Sequence, residues 1–229
     1  MKYDIIFFDA DDTLFDFQQS EAVAYRNAMN ALHLPYADNE SYEIYRTVNH
    51  AIWREFEEGK ISQSRLKTER FRRLADRLNI SFDAAEFAKE FMYQLSRASI
   101  LFDDAIPLIE DLKRHAKLLI VTNGLSDVQH RRVRGSVIAD SLSGVIISEE
   151  AGVAKPDPAI FELAARQVQA SDKSKMLMVG DGLKSDILGG INYGIDTCWY
   201  NPKRLQNESG VVPTYEINTL PQLIPIAYS

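Results

Sequence analysis

The chain has 229 residues, of which 45% are hydrophobic and 10% aromatic, so it can bury a core and is not a disordered chain. Its formal net charge is −7, and an acidic chain without a clustered basic face is a poor binder of nucleic acid. The length predicts one core domain that carries a smaller insertion.

Cysteine and hydropathy patterns indicate where the protein works. Cys198 is the single cysteine, which excludes an internal disulfide framework and a cysteine-rich zinc site. The apolar run at residues 3–8 is too short, and too closely followed by acids, for a signal peptide. No apolar run is long enough to cross a bilayer. We therefore expect a soluble, cytoplasmic protein without a membrane partner, and the sequence carries no signal for an oligomeric state.

Short apolar runs predict the strands of a parallel sheet. Each run is continuous, partly β-branched and followed by turn residues or charges, as is typical of buried strands. The runs are residues 3–8, 118–121, 145–147, 176–179 and 197–200. Helical stretches at residues 157–167 and 185–192 lie between the later runs. This alternation predicts an α/β doubly wound fold.

A long helical segment separates the first two predicted strands. Four stretches within it have apolar residues at helical spacing: 22–32, 42–57, 64–78 and 84–96. We expect residues 1–16 and 101–229 to form the α/β core, and residues 17–100 to form a helical cap subdomain.

Acidic residues follow the first predicted strand directly. Asp9, Asp11 and Asp12 come within four positions after the apolar residues 5–8. Open α/β sheets bind ligands beyond the carboxyl ends of their strands. Carboxylates this close repel one another unless protons or a cation neutralise them, and Mg²⁺ is a hard cation that prefers oxygen. A turn or helix-capping cluster is the alternative interpretation.

Polar and basic residues follow the next strands. Thr122, Asn123 and Gly124 close the second strand, where a hydroxyl and an amide can cradle an anion, although an ordinary turn is the simpler interpretation. Lys155 lies in a loop stiffened by two prolines and can neutralise a phosphoryl group. The alternative for Lys155 is an exposed lysine, as most lysines are.

Two further acids follow the strand at residues 176–179. Asp181 stands between two glycines, and Asp186 comes five residues later, near the first turn of a predicted helix. Helix capping by Ser185 or Asp186 is compatible with metal binding. Separate turns would not be expected to place acids, a hydroxyl and a lysine at strand ends or in the loops after them within one chain, so together they predict one active site.

In order, strand context and spacing, these residues resemble the four motifs of the haloacid dehalogenase superfamily. The motifs are Asp9-x-Asp11-x-Thr13, Thr122, Lys155, and Gly180-Asp181 with Asp186. The resemblance implies a Rossmann-like core with the first strand central, and a helical cap that chooses the substrate.

The resemblance also implies a set of roles. Asp9 would be the nucleophile that forms an aspartyl-phosphate, and Asp11 the acid and base. Mg²⁺ would be held by Asp9, the backbone carbonyl of Asp11, and Asp181. The phosphoryl oxygens would be held by Thr122, Asn123 and Lys155. Asp186 would lie in an outer layer and orient Lys155 or a metal-bound water.

Residues 7–15, 147–156 and 186–192 are further similar to the YjjG-type pyrimidine 5′-nucleotidases. This implies a small phosphorylated substrate, namely a nucleoside monophosphate. Gly182 departs from the pattern, because a hydroxyl residue usually follows Asp181. One alternative is a phosphatase for phosphoglycolate or a sugar phosphate. Alternatives from another class are a phosphate-receiving signalling domain and a binding protein that keeps the fold.

Several other conspicuous residues are expected to have structural roles. His130, Arg131 and Arg132 read as an exposed helix surface, and Trp53 as a residue that packs between helices. Cys198 is expected to fill the core.

Overall fold

The computed structural model describes residues 1–35 and 38–229. The chain forms two compact units, one made of Met1–Phe17 with Ser99–Ser229 and the other of Gln18–Ala98. The first unit is an α/β domain, and the second is helical. Among the described residues, every helix is too short or too polar to span a membrane.

A parallel sheet lies at the centre of the first unit. Its strands in the described residues are β1 Ile5–Phe8, β2 Lys117–Thr122, β3 Gly144–Ile147, β4 Met176–Gly180, β5 Asp196–Tyr200 and β6 Tyr215–Ile217. The spatial order is β3-β2-β1-β4-β5-β6, and all neighbouring strands are parallel. The predicted doubly wound fold, with the first strand inside the sheet, is confirmed. β6 escaped prediction because it has only three residues and Glu216 at its centre is exposed.

In the described part of the second unit there are four helices, and the helical stretches predicted there are present. They are α1 Phe17–Ala31, α2 Asp38–Glu57, α3 Gln63–Leu78 and α4 Ala84–Arg97. Aromatic side chains fill their interior: the ring of Tyr45 stacks on Phe71 with centroids 5.9 Å apart, and Phe71 lies 5.1 Å from Phe91. This unit therefore has a hydrophobic interior of its own.

The remaining helices belong to the first unit. They are α5 Ala105–Leu112, α6 Ser126–Arg134, α7 Ser148–Ala151, α8 Pro158–Gln167, α9 Leu188–Tyr193 and α10 Leu223–Tyr228. Successive strand residues point to opposite faces of the sheet, so Ile6 and Phe8 join one hydrophobic cluster while Ile5 and Phe7 join another. Burial on both faces explains why the strands read as continuous apolar runs. The helix expected at residues 185–192 is a π-helical turn, Leu183–Ile187, followed by α9.

Candidate active site

The carboxyl ends of three neighbouring strands bring the acidic and polar residues to one edge of the sheet. β1 pairs in parallel with β2 on one side and β4 on the other. Asp9 follows β1, Thr122 ends β2 and Asp181 follows β4, so these residues lie at the same edge. Lys155 enters from the loop after α7, and its Nζ lies 2.5 Å from Oδ1 of Asp9.

Lys155 is the positive centre of this site. Its buried Nζ donates to Oδ1 of Asp9 and, at 2.7 Å, to the backbone carbonyl of Val121, and it lies 2.6 Å from Oδ1 of Asp186. Burial by itself lowers the pKa of Lys155, but the charges of Asp186 and Asp9 and their hydrogen bonds raise that pKa above its ordinary value. The ammonium group therefore stays charged between two carboxylates.

Asn123 holds the backbone of Lys155. Its side-chain Nδ2 donates to the Lys155 carbonyl at 2.9 Å, and its Oδ1 accepts from the Lys155 backbone N–H at 2.8 Å. Thr122 is buried, and its Oγ1 accepts from the backbone N–H of Gly124 at 3.2 Å. Because the Asn123 side chain is engaged with the protein, any contact of Asn123 with phosphate would come from its backbone N–H.

Asp186 reaches the site because two glycines leave room for it. Its carboxylate is buried, and Oδ2 accepts from the backbone N–H of Gly182 at 2.8 Å. A Cβ atom at Gly180 would lie 2.3 Å from that oxygen, and one at Gly182 would lie 2.2 Å from Oγ of Ser185. The hydroxyl of Ser185 therefore occupies the space where a side chain at position 182 would begin. This packing is a physical reason for the glycine at position 182.

Asp9, Asp181 and Asp186 form a cluster in which one oxygen of each residue lies within 4.8 Å of the others. Burial raises the pKa of Asp9 to about 7; Lys155 opposes this rise, while Asp186 and Asp11 add to it. The carboxylates are therefore crowded, and their negative charge is incompletely compensated by the protein.

Asp181 lies on the exposed side of this cluster. Desolvation by the surrounding protein atoms, followed by repulsion from Asp186 and Asp9, raises the pKa of Asp181 to about 8. The indole N–H of Trp199 donates to the Asp181 backbone carbonyl at 2.9 Å and fixes this residue at the end of β4.

The donor chemistry of the cluster fits a divalent cation. Asp9 and Asp186 contact the ammonium group of Lys155, and Asp181 completes the cluster, so the negative charge that these acids can carry exceeds the positive charge of Lys155. The donors are all oxygen atoms, which suits a hard cation such as Mg²⁺. Asp9, Asp181 and Asp186 are the side chains that could hold it. Asp186, expected in an outer layer, also contacts Lys155 directly.

Asp11 is held by two residues of α6. Nε2 of Gln129 donates to Oδ2 of Asp11 at 2.6 Å, and the guanidinium group of Arg132 pairs with Oδ1. The expectation that Arg132 lies on an exposed surface is wrong, because its side chain is fully buried. Val128 lies one turn earlier on the same buried face of the helix, so the helical spacing was a signal that could have identified Arg132.

Two further residues discussed in the sequence analysis, Cys198 and Trp53, pack against apolar side chains. Cys198 is fully buried in the core of the first unit, as expected. Trp53, on α2, makes an edge-to-face contact with Phe56 at a centroid distance of 5.8 Å within the second unit.

The arrangement as a whole suits acyl-phosphate chemistry. The carboxylate of Asp9 lies beside a buried ammonium group, which can attract an anionic substrate to this edge of the sheet. Asp11 is a second carboxylate, two residues further along the chain, and carboxylates can transfer protons. Two carboxylates and a cationic group therefore lie at one edge of the sheet.

Comparisons with known proteins agree with this chemistry. Residues 3–194 match the sequence profile of the haloacid dehalogenase-like hydrolases. The chain is 35% identical over 226 residues to the pyrimidine 5′-nucleotidase YjjG of Escherichia coli, covering 97% of each chain. It is 34% identical to the pyrimidine 5′-nucleotidase PynA of Streptococcus pneumoniae, covering 98% of this chain and 94% of that one. The crystal structure of the HAD-hydrolase YfnB from Bacillus subtilis bound to magnesium matches with a TM-score of 0.93 at 34% identity, covering 100% of both chains.

Proposed function

The chain belongs to the haloacid dehalogenase-like hydrolases, and from this membership we propose that it is a magnesium-dependent phosphatase for pyrimidine nucleoside 5′-monophosphates that works through an aspartyl-phosphate on Asp9. The observation that carries the mechanism is the buried contact of Lys155 with both Asp9 and Asp186 at the carboxyl edge of the sheet. The similarity of the chain to two pyrimidine 5′-nucleotidases supports both the phosphatase activity and the choice of pyrimidine nucleotides as the substrate class.

In the first proposed step, Asp9 attacks the substrate. A carboxylate oxygen of Asp9 forms a bond to phosphorus while the bond from phosphorus to the leaving alcohol oxygen breaks, giving an acyl-phosphate. Asp11 donates a proton to the leaving oxygen. Lys155 and the hydroxyl of Thr122 hold the phosphoryl oxygens. Bound at the acidic cluster, Mg²⁺ would offset the repulsion between the carboxylates and the phosphate.

In the second step, water hydrolyses the acyl-phosphate. Asp11, now a carboxylate, takes a proton from the water as the water oxygen bonds to phosphorus. The bond between phosphorus and Asp9 breaks, and inorganic phosphate leaves. Asp9 returns as a carboxylate and Asp11 as an acid, so the net reaction is hydrolysis of the phosphate ester by water.

Substrate choice is a separate part of the proposal. We assign it to the helical unit, Gln18–Ala98, on the resemblance to family members in which a helical cap chooses the substrate. Phosphate transfer and substrate choice would then belong to different stretches of the chain. A result that contradicts the proposed substrate would therefore not contradict the proposed mechanism, and the reverse also holds.

Phosphate release from a panel of substrates tests the proposal. The panel contains pyrimidine and purine nucleoside monophosphates, phosphoglycolate and sugar phosphates, each with and without Mg²⁺. We expect magnesium-dependent release that favours pyrimidine nucleotides, is lost in Asp9→Asn and is retained in Asp140→Asn, a matched change at an exposed residue. Preference for sugar phosphates would contradict the substrate, and turnover by Asp9→Asn would contradict the covalent mechanism.

A further inference from the structure

Two buried polar residues of α6, Gln129 and Arg132, converge on Asp11. Gln129 is 1% exposed and Arg132 is 0% exposed. Gln129 donates to Oδ2 of Asp11 at 2.6 Å, and Arg132 pairs with Oδ1. The amide orientation follows from chemistry, because a flipped amide would place its oxygen against the carboxylate. Each oxygen of this carboxylate therefore has its own donor from the same helix.

The guanidinium group of Arg132 is itself held in place. It lies over the ring of Phe15 at 5.0 Å and over the ring of Phe17 at 5.7 Å from the centroids. The backbone carbonyl of Arg132 accepts from Oγ of Ser99 at 2.6 Å. A planar guanidinium that stacks on aromatic rings has few orientations, so the donor side of the pair is ordered before any substrate binds.

Burying a guanidinium removes its hydration, which is unfavourable unless acids compensate its charge. Asp11 pairs with Arg132, whereas the excess negative charge of the neighbouring cluster lies on Asp9, Asp181 and Asp186. An apolar residue at position 132 could fill the same space without that cost, so packing alone does not account for the charge.

We propose that Arg132 and Gln129 are positioning residues that set the place of the Asp11 carboxyl for proton transfer to the leaving oxygen. This rests on the proposed function, in which Asp11 is the acid and base. Neither residue belongs to the four motifs from which the site was recognised, and neither is assigned a contact with phosphorus or the leaving oxygen, so both would act through Asp11. Their effect is geometric: proton transfer needs the carboxyl oxygen within hydrogen-bond reach of the leaving oxygen.

The proposal predicts an effect that depends on the leaving group. When the bond to phosphorus breaks, the ribose 5′-oxygen of a nucleotide needs a proton from Asp11. The oxygen of p-nitrophenol is a stable anion and leaves without one. The ratio kcat/KM reports the steps up to departure of the leaving group. Misplacing Asp11 should therefore lower kcat/KM for the nucleotide and not for p-nitrophenyl phosphate.

The test compares uridine 5′-monophosphate with p-nitrophenyl phosphate in three variants. For Arg132→Met, we expect the ratio of the two kcat/KM values to fall on the order of 10²-fold, as for a group displaced by about 1 Å. For Gln129→Leu, which keeps the ion pair with Asp11, we expect a fall of about tenfold. Arg134→Met changes an exposed arginine of the same helix and should leave the ratio unchanged.

Circular dichroism and thermal unfolding show which variants are folded, and Gln129→Leu carries the test if Arg132→Met does not fold. A folded variant that loses activity equally on both substrates, or on neither, would overturn the positioning role. Asp9→Asn separates this result from a failure of the proposed function. If Asp9→Asn is inactive and the ratio is unchanged in Gln129→Leu and Arg132→Met, only the positioning role is wrong. If Asp9→Asn remains active, the covalent mechanism itself is wrong.

Discussion

At the scale of single residues, the ion pair between Asp11 and Arg132 joins a partly exposed acid to a fully buried base. The Arg132 side chain is 0% exposed, while that of Asp11 retains 27% exposure. Solvent can therefore stabilise an unpaired Asp11 much better than an unpaired Arg132. We therefore expect the loss of the Asp11 side chain and the loss of the Arg132 side chain to change the stability of the fold by different amounts.

The change Asp11→Ala should destabilise the protein because it removes an acid that pairs with the buried Arg132 guanidinium. We expect the free energy of unfolding to fall by about 3 kcal/mol, the low end of the cost of breaking a buried pair, because Asp11 is partly exposed. The double variant Asp11→Ala/Arg132→Met should recover part of this loss. Urea unfolding of the wild type, both single variants and the double variant measures the coupling. Purely additive effects would show that the pair contributes no coupling energy.

A second prediction concerns the close approach of Gly180 to Asp186. A methyl group at position 180 would lie 2.3 Å from Oδ2 of Asp186, so Gly180→Ala must displace that carboxylate. We expect kcat/KM to fall by about tenfold or more and stability to fall by about 1–3 kcal/mol. Steady-state kinetics and thermal unfolding measure the two effects.

Gly210→Ala is the control for that prediction. Position 210 has φ +75° and open space around it, so alanine there is strained without a clash. It should lower stability without lowering kcat/KM. Equal kinetic losses in the two variants would show that Asp186 is not specifically involved.

At the scale of elements, a buried polar chain connects three helices of the second unit. Glu21 on α1 accepts from Tyr45 at 2.9 Å and from Asn49 at 2.7 Å, both on α2. Asn49 in turn accepts from Arg70 on α3 at 3.1 Å. Asn49 thus lies between a buried acid and a buried base, and forms a hydrogen bond with each through one side chain.

The change Asn49→Leu should weaken this unit because Glu21 loses a donor and Arg70 loses an acceptor. Hydrogen bonds to charged groups contribute about 1.5–3 kcal/mol, so we expect the free energy of unfolding to fall by about that amount. Thermal unfolding monitored by circular dichroism measures the change. Asn30→Leu, at an exposed position of α1, is the matched control and should cost much less. Similar losses at positions 30 and 49 would contradict the connecting role.

At the scale of the whole molecule, binding of magnesium should couple to folding. The unfolded chain spreads Asp9, Asp181 and Asp186 apart, whereas the folded chain crowds them. Mg²⁺ should therefore bind the folded state in preference. At about 100 times its dissociation constant, it should add about 2.7 kcal/mol to the free energy of unfolding.

Thermal unfolding in EDTA and in Mg²⁺ measures that coupling without any substrate. The rise in Tm with Mg²⁺ should shrink in Asp181→Asn, which lacks one proposed ligand, and persist in Asp140→Asn. An equal rise in both variants would indicate that the cation acts elsewhere on the protein.

Much of this molecule follows from sequence patterns alone. Continuous apolar runs indicate buried parallel strands, because a sheet covered on both faces leaves no side for polar residues to alternate with apolar ones. Polar residues directly after these runs indicate a site at the carboxyl ends of the strands. The observed sheet topology and the match to the family profile confirm the predicted fold and family. Asp9, Lys155 and Asp181 could be identified from the sequence because Asp9 and Asp181 directly follow strands, and Lys155 directly precedes the first proline of a stiffened loop.

Only the tertiary structure decided which side chains meet. Asp11 and Arg132 are far apart along the chain, so no local pattern signals that they pair, although the helical spacing of Arg132 with Val128 indicates that Arg132 lies on the buried face. The same holds for the reciprocal hydrogen bonds of Asn123 with Lys155, and for the glycine at position 182. Sequence patterns report period and turn chemistry, which are local. Burial of a charge beside its partner depends on packing between distant segments, which sequence patterns do not contain.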